Sequence, residues 1–510
     1  MKKFFLSSLL ILSSFVSFSF AQSKSSPQNK SSQTSNAKTS VPQQGLEIPF
    51  VTKTLPNGLE VIVLQDSSVP IVTVEMAVRN GSFNEPPELN GLSHLYEHMY
   101  FKTNRAVALF RCDLFTKYQR KDLLSRFGCE AQNQFKSQLG DVSYINDIDA
   151  LGYIRNGTTQ EEYVNYYFNT TSGNMPTIMR LMRDAMLYPS FDEDEFKSEI
   201  QVVLGELDRQ LSEPGYYLDR TLKDKLFYKY PSRKSPGGTR ATVAAATTEQ
   251  MRLIQSRYYI PNNTALIVTG DAEPEKVFKL AEDLFGGWKR GEDPFVKFPI
   301  VDHPPLPKSE GIIVNKNADE LQNVIIQIGW QGPSIGKDDA STYAADVFSY
   351  IVEQPDSRLK RALVDSGLAV DISVHYYTQR NVGPITITLV TSPDKAKAAL
   401  DALYKELAQF NDPKYFSDEE LADAKNLLEA ENLFRREKLS DYTHELGFWW
   451  SSTGIDYYRG YHKKLRATSR EDIKRYISTY ILGKPHVGVA LISTADQQKV
   501  NLTEQDLIGK

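Results

Sequence analysis

The chain has 510 residues, which is too long for one compact core and indicates two or more domains. It carries 64 acidic and 59 basic residues, giving a formal net charge of −5. This mild acidic balance argues against nucleic acid and against an anionic membrane as a partner.

The first 21 residues have the features of a secretory signal peptide. Lys2 and Lys3 precede an apolar, serine-rich run, and the small residues Ser19 and Ala21 flank Phe20 at its end. We predict cleavage after Ala21 and export across the cytoplasmic membrane into the periplasm. No later run approaches the length of a membrane span, so we expect no transmembrane segment. Residues 22–44 are rich in Ser, Gln, Asn and Lys, which is typical of a disordered spacer.

Residues 94–98 read HLYEH, in a chain with only seven histidines. Residues four apart share one face of a helix, so the imidazoles of His94 and His98 could reach the same metal ion. Glu97 lies on that face as well, where a carboxylate could take a proton from a water that the metal activates. The pattern H-x-x-E-H is the inverted zinc-peptidase motif.

The flanking residues support a helix at this place. Asn90 and Gly91 could cap its start. Apolar residues recur at helical spacing on the opposite side of this helix, namely Leu92, Leu95, Tyr96 and Met99. This stripe favours a metal site over a solvated helix face that carries two unrelated histidines.

A third ligand is needed, because catalytic zinc usually takes three protein ligands. In segment 191–212, apolar residues at helical spacing predict an amphipathic helix. Glu199 and Glu206 are two turns apart and border the same side of its apolar stripe. Spacing alone leaves open whether they are ligands or solvated glutamates.

Three stretches resemble the pitrilysin/insulinase family of zinc peptidases, which includes the mitochondrial processing peptidases. GLSHLYEHMYFK is similar to the family's motif region, and EIQVVLGE is similar to its second signature. The resemblance implies Zn²⁺ as the cofactor, Glu206 as the third ligand and Glu199 as a supporting carboxylate. Segment 151–168 is similar to the part that lies along the substrate cleft, where Asn156 matches an asparagine that contacts the substrate backbone.

Compared with the family pattern, the chain has an insertion at about 104–148, directly after the metal helix, which we expect to wall or cover the cleft. Both cysteines, Cys112 and Cys129, lie in it. In an oxidising compartment they could form a disulfide worth about 3 kcal/mol. The alternative is two unrelated buried thiols, since no Cys-x-x-Cys pattern is present.

Residues 291–310 contain five prolines without helical or strand periodicity, which predicts a linker. The halves on either side, 45–290 and 311–510, share a strand-and-turn segment, an acidic helix and a final helix-turn-strand segment. An internal duplication follows. We predict an α+β fold of two duplicated domains, each a mainly antiparallel sheet packed against helices, as in the processing peptidases.

The second half lacks the metal-binding pattern. Its segment 339–354 has no histidine, and His444 has no second histidine at the spacing that a zinc helix needs. Glu431 falls opposite Glu206 when the halves are paired, and we interpret it as structural. We therefore expect one metal per chain, in the domain 45–290, and none in 311–510.

Active members of this family usually carry, in the second half, an arginine and a tyrosine seven positions apart that bind the substrate. In this chain Leu363 and Val370 occupy those places, although a shifted alignment could recruit Arg361 or Tyr376. In some members the zinc site and this pair lie on different subunits. The resemblance therefore implies a homologous partner subunit, in a hetero- or homodimer.

The sequence thus favours a secreted zinc endopeptidase that cleaves extended peptides, bound as an added strand at a sheet edge. We expect the chain to be the zinc-bearing subunit that needs such a partner. Two alternatives are a peptidase that is active alone and a non-catalytic peptide-binding or assembly subunit with a structural metal.

Overall fold

The computed structural model describes residues 49–317 and 321–510. The predicted signal peptide (1–21) and spacer (22–44) lie outside these residues. Within the described ranges, no helix combines the length and the apolar character needed to cross a membrane.

The strands are, in chain order, β1 (Val51–Thr54), β2 (Glu60–Gln65), β3 (Ile71–Val78), β4 (Ile154–Thr159), β5 (Val164–Thr171), β6 (Thr264–Gly270), β7 (Glu310–Lys316), β8 (Val324–Gln331), β9 (Asp371–Tyr376), β10 (Pro384–Thr391) and β11 (Val487–Ser493).

The helices of the first half and of the proline-rich segment are α1 (Leu92–Tyr100), α2 (Arg105–Lys117), α3 (Lys121–Arg126), α4 (Cys129–Asn133), α5 (Lys136–Leu139), α6 (Met175–Leu187), α7 (Glu193–Ser212), α8 (Pro214–Leu226), α9 (Arg240–Ala244), α10 (Thr248–Tyr258), α11 (Pro274–Phe285) and α12 (Pro294–Lys297). The helices of the second half are α13 (Asp339–Glu353), α14 (Arg358–Lys360), which continues as a π-helical turn (Arg361–Asp365), α15 (Ala396–Leu407), α16 (Asp418–Arg435), α17 (Leu439–Ser452), α18 (Ile455–Ala467), α19 (Arg470–Tyr480) and α20 (Thr494–Val500).

The strands form two sheets with the same topology. The first has the order β1-β2-β6-β3-β5-β4 and the second the order β7-β11-β8-β10-β9. In the first sheet β2 and β6 are parallel, and in the second sheet β7 and β11 are parallel. The pairs that follow them in each order, as far as β4 and β9, are antiparallel. Apart from the additional β1, the sheets correspond strand for strand. The predicted α+β fold with two similar halves is confirmed.

Each half contributes a helix to the sheet of the other half. Helix α8 packs against β8 and β11, with the buried side chains of Leu218 and Leu222 in their joint core. Helix α17 packs against β3 and β6 of the first sheet. The first sheet is therefore covered on both faces, which explains why every residue of β6 is buried. This exchange joins the two sheets through apolar contacts as well as through the chain.

Residues 104–148 form helices α2 to α5 and a 3₁₀ segment, Ser143–Ala150. A small apolar core joins α2, α5 and the 3₁₀ segment, and Tyr144 Oη donates a 2.5 Å hydrogen bond to Asp184 of α6. The structure joins Cys112 and Cys129 in a disulfide, with Cα atoms 5.5 Å apart. The insertion is thus anchored on α6, and its effect on access to the cleft stays a prediction.

Candidate metal centre

Gly91 is the N-cap residue of helix α1, in agreement with the sequence prediction, whereas Asn90 lies outside the cap. Gly91 precedes the helix at a φ of +92° and no side chain caps it from this position. Instead, the buried carboxylate of Glu85 accepts hydrogen bonds from the backbone nitrogens of Gly91 (2.8 Å) and Ser93 (2.6 Å). A negative charge at a helix N-terminus is favourable, because the first N–H groups lack intrahelical acceptors. Asn90 Nδ2 donates to Glu85 Oε2 at 3.3 Å and to the backbone oxygens of Ser232 and Ser235, each at 3.0 Å.

The glycine before α1 is required by its surroundings. A Cβ atom at Gly91 would lie 2.7 Å from the backbone oxygen of Gly237 and 2.8 Å from Cα of Gly238. The positive φ adds a second reason, since side chains disfavour it. The loop 235–238 therefore fixes the point at which the helix enters the core.

The apolar face of α1 is buried as the sequence predicts. Its four apolar residues, Leu92, Leu95, Tyr96 and Met99, are at most 3% exposed. The Tyr96 ring stacks on Tyr259 with 4.1 Å between ring centroids. Because this face is held by packing, the opposite face is directed toward α7.

Helix α7 brings the two predicted glutamates to this face. Nε2 of His94 and Nε2 of His98 both lie 3.6 Å from the same oxygen of Glu206, Oε2. The second ring nitrogen of His98, Nδ1, lies 3.2 Å from Oε2 of Glu199. Glu206 thus faces Nε2 of both imidazoles, whereas Glu199 contacts the Nδ1 side of His98.

These distances fit a tetrahedral metal ion. Ligands that are 2.0–2.1 Å from zinc lie about 3.4 Å from each other in a tetrahedral site. Ligand atoms of His94, His98 and Glu206 lie within 4.8 Å of one another, and no other group of three metal-binding side chains of this kind occurs in residues 49–317 and 321–510. Two imidazoles with one carboxylate form a donor set that catalytic zinc uses.

The pKa values of the two histidines also indicate that this cluster attracts a cation. Burial disfavours a charged imidazole, but hydrogen bonds to Glu199 and Glu206 outweigh it and raise the pKa of His98 to about 9. Burial and the neighbouring His98 lower the pKa of His94 to about 4. One proton therefore sits between two carboxylates while the second imidazole stays neutral. A metal cation could replace that proton.

Lys102 completes the group around Glu199. Its Nζ lies 2.5 Å from Glu199 Oε1. Burial opposes ionisation of Glu199, but the hydrogen bonds from His98 and Lys102 lower its pKa. Glu199 is therefore an ionised carboxylate that can orient the His98 ring, as carboxylates behind ligating histidines do.

Glu97 is buried between α1 and the edge strand β4. Its Oε2 accepts a 2.8 Å hydrogen bond from Thr159 Oγ1. A Cβ atom at Gly157 would lie 2.7 Å from Glu97 Oε1, so the absence of a side chain there admits the carboxylate. Burial is the main reason why the pKa of Glu97 is raised, to about 7. A carboxyl group with a pKa near neutrality can both accept and donate a proton.

Asn156 lies one residue from Gly157 on β4, which is the free edge of the first sheet. Its side chain is half-buried, and Oδ1 accepts a hydrogen bond from the Gly157 backbone nitrogen at 2.9 Å. The structure thus brings Asn156 to the strand that contacts Glu97. Its role toward a substrate stays a prediction.

The residues considered for an arginine–tyrosine pair have other surroundings. Leu363 is fully buried and Val370 is 61% exposed. Arg361 donates to the backbone oxygen of Asp356, and Tyr376 donates to that of Pro333 at 3.1 Å. Both contacts lie within the second half, so the need for a partner subunit stays a prediction.

Sequence reasoning missed the residues that hold the centre from outside the motifs: Glu85, Lys102, Gly157 and Thr159. Lys102 follows the end of α1, and its contact with Glu199 depends on the packing of α7, so helical spacing does not reveal it. The contacts of Gly157 and Thr159 with Glu97 depend on the packing of β4 against α1, which no local pattern encodes.

Comparisons with known proteins agree with this arrangement. A family model described as insulinase, peptidase family M16, matches residues 60–109 and 136–239. A second model, described as the peptidase M16 inactive domain, matches residues 245–428. The chain belongs to the pitrilysin/insulinase family, peptidase family M16. The residues between the two matched segments of the first model, 110–135, lie inside the insertion.

Among its relatives, the zinc protease PqqE of Helicobacter pylori is 24% identical over 357 residues, which cover 69% of this chain and 72% of the relative. A putative M16-like peptidase from Alicyclobacillus acidocaldarius has a TM-score of 0.71 at 17% identity, over 88% of this chain and 100% of the other. The first half of the periplasmic protease PqqL from Escherichia coli has a TM-score of 0.70 at 16% identity, over 91% of this chain and 96% of the other. The two structures show the shared fold, and the name of PqqE supports zinc as a metal of the family.

Proposed function

We propose that this chain is a zinc-dependent endopeptidase whose metal is held by His94, His98 and Glu206. The observation that carries the proposal is the placement of Glu206 Oε2 at 3.6 Å from Nε2 of both histidines, beside the buried carboxyl of Glu97. A structural metal site has no use for such a carboxyl, whereas peptide hydrolysis needs a group that moves protons.

The chemistry divides between the metal and the protein. Zinc, when bound, supplies a lower pKa for water and polarises the carbonyl of the peptide bond. Glu97 takes a proton from the attacking water on one carboxylate oxygen and delivers it to the departing amine. Thr159 donates a hydrogen bond to the other carboxylate oxygen of Glu97, Oε2, and so positions the carboxyl group. Glu199 accepts from His98 Nδ1 and keeps the imidazole turned toward Glu206.

The substrate would bind as an extended strand along β4. This strand pairs with β5 on one side and has its other edge free in the described sheet. Backbone hydrogen bonds at such an edge select for extended, poorly folded peptides and give loose sequence preference. Asn156 would contact the substrate backbone from this edge.

We further propose that the chain is the zinc-bearing subunit of a dimer in the periplasm. Neither Leu363 nor Val370 has a side chain that can hydrogen-bond, so a homologous partner would supply the arginine and tyrosine. The signal-like N-terminus supports export, and the structural neighbour PqqL is described as periplasmic. The proposed domains are 45–290 and 311–510, joined by 291–310.

The experiment uses purified, zinc-loaded protein with a library of quenched fluorescent peptides. We expect turnover only when a homologous partner subunit is added, and a loss of at least about 100-fold with Glu97→Gln. As a control, the zinc content of the Glu97→Gln variant should stay at one equivalent per chain. Turnover without a partner would remove the dimer requirement. One zinc with no turnover under either condition would contradict the peptidase proposal and favour a peptide-binding or assembly subunit.

A further inference from the structure

A cavity of about 280 Å³ lies between the two halves and the proline-rich segment. Its lining comes from the loop after β3, from the loop between β4 and β5, from residues 295–302, and from α17 and two loops of the second half. One part of the wall is apolar, formed by Phe83, Phe295, Ile300 and Ile335. The rings of Phe83 and Phe295 are 5.6 Å apart.

Two guanidinium groups, those of Arg79 and Arg380, line the same cavity. Arg79 is only 20% exposed, and its guanidinium lies over the Trp450 ring, 4.0 Å from the centroid. Its nearest carboxylate, Glu60, is 3.8 Å away, and its Nε is shielded from solvent without a hydrogen-bond partner among the described residues. Burial, followed by repulsion from Arg380, lowers the pKa of Arg79 to about 10. Arg79 thus has one carboxylate at 3.8 Å and one backbone acceptor, Trp450 O at 3.3 Å from Nη2, and its Nε has no partner in the described part of the chain.

The acidic side chains of the lining are already engaged. Both oxygens of Glu162 accept hydrogen bonds at 2.8 Å, from the backbone nitrogens of Arg380 and Asn381. Asp302 pairs with Lys337 at 2.5 Å. Arg380 itself uses Nε to donate to Ser452 O at 2.9 Å, while the rest of its side chain is exposed. The two lining carboxylates are thus occupied by protein donors, whereas each guanidinium group has only part of its N–H donors engaged.

We propose that this cavity binds a small organic carboxylate, whose carboxyl group pairs with the two guanidinium groups while its aromatic or branched group fills the apolar part. A guanidinium presents several N–H donors in one plane, which suits a carboxylate. The volume is at the small end for ligand sites and fits a molecule about the size of one amino-acid residue. Such a carboxylate could be the C-terminal residue of a peptide or a free organic acid.

Carboxylates also bind zinc, so the test uses the full chain after metal removal. Titration calorimetry would compare N-acetylphenylalanine with its neutral amide, and 3-phenylpropanoate with acetate. We expect each aromatic acid to bind at least about tenfold more tightly than its partner probe, because the partner lacks either the charge or the apolar group. Tighter binding of N-acetylphenylalanine would identify peptide ends as the natural ligand, and tighter binding of 3-phenylpropanoate would identify free acids.

The variant that tests the site is Arg380→Gln, whose exposed side chain can be changed without opening the core. It should weaken both aromatic acids about tenfold, whereas Lys337→Gln, at a cation already paired with Asp302, should change them by less than about threefold. Phe295→Ala should weaken them while leaving acetate unchanged. Equal binding of the amide, unchanged affinity in Arg380→Gln, or binding seen only with zinc present would each overturn the proposal.

Discussion

The two halves of the chain share a sheet topology but differ at the helices that carry the metal centre. In the first half, α1 and α7 bring two imidazoles to one oxygen of Glu206. In the second half, α13 and α16 bring the phenol of Tyr350 to Glu431, which also accepts from Arg435 at 2.6 Å. The same position of the duplicated helix thus holds a carboxylate that faces imidazoles in one half and a guanidinium in the other.

This difference lies in the groups that surround the duplicated carboxylate. An ionised glutamate is stable when a neighbour supplies positive charge or hydrogen bonds. Arg435, one turn from Glu431, supplies a permanent positive charge. Around Glu206 the charge comes from a proton on His98, which a metal can displace. The two halves keep the same sheet order although the groups around this carboxylate differ.

The largest expected effect separates the two paired glutamates. Glu206→Gln should weaken zinc binding by at least about 100-fold, because it removes one of three ligands. Glu431→Gln should leave the affinity unchanged within about twofold, since its carboxylate is bound to Arg435. Competition with a zinc-binding dye measures both. Equal losses in the two variants would mean that the comparison between the halves is wrong.

A smaller effect is expected for Glu199, which contacts His98 on its Nδ1 side. Glu199→Gln should weaken zinc binding by about 10-fold to 100-fold, because the amide still contacts His98 but no longer attracts positive charge. The same dye competition measures it, and the loss must be smaller than that of Glu206→Gln. A larger loss would exchange the roles of the two glutamates.

A third prediction concerns Asp346 of α13, a half-buried acid on the helix that corresponds to α1. Burial is the main reason that the pKa of Asp346 is raised to about 7, although a hydrogen bond from Tyr461 opposes the shift. The folded state therefore favours the protonated acid. The stability that this proton provides is complete below about pH 4 and is lost as the pH rises through about 7.

Asp346→Asn should thus raise the free energy of unfolding relative to the original chain. The increase should be about 1–3 kcal/mol larger at pH 8 than at pH 5. Urea denaturation of metal-free protein at both values measures the difference. The matched control is Asp365→Asn, an exposed acid in the same half. A gain that is the same at both pH values would show that Asp346 is not held as a neutral acid.

The smallest expected effect concerns the contact between β4 and Glu97. Thr159→Val keeps the shape of the side chain but removes the hydrogen bond to Oε2. With the homologous partner subunit present, we expect kcat to fall about threefold to tenfold with little change in KM, because the bond positions Glu97 and not the substrate. Thr158→Val, at the exposed neighbouring position, serves as the control. A change confined to KM would assign Thr159 to substrate binding.

Much of the centre could be predicted because its signals are local. The spacing of His94, Glu97 and His98, with an apolar stripe opposite, defines a helix and both of its faces. Glu206 needed the family resemblance, since its helix lies about a hundred residues further on. The sheets and the repeated helix-turn-strand segments also followed from periodicity and from the likeness between the halves.

The rest depends on contacts between segments that are distant in the chain. Glu85 caps α1 because the preceding loop folds back on it, and a helical pattern cannot reveal an acceptor that lies outside the helix. The exchange of α8 and α17 between the sheets was not predicted, because an amphipathic helix does not specify which sheet it covers. Gly157 is compatible with any strand, and only the approach of Glu97 makes it necessary.

The central claim is that one metal per chain lies in the first half, held by His94, His98 and Glu206. Crystals of zinc-loaded protein, measured on both sides of the zinc absorption edge, test it directly. We predict one anomalous peak per chain, bordered by these three side chains and separated from Glu199 by the His98 ring. A peak beside Glu431, a peak that excludes Glu206, or no peak at full zinc loading would contradict the account.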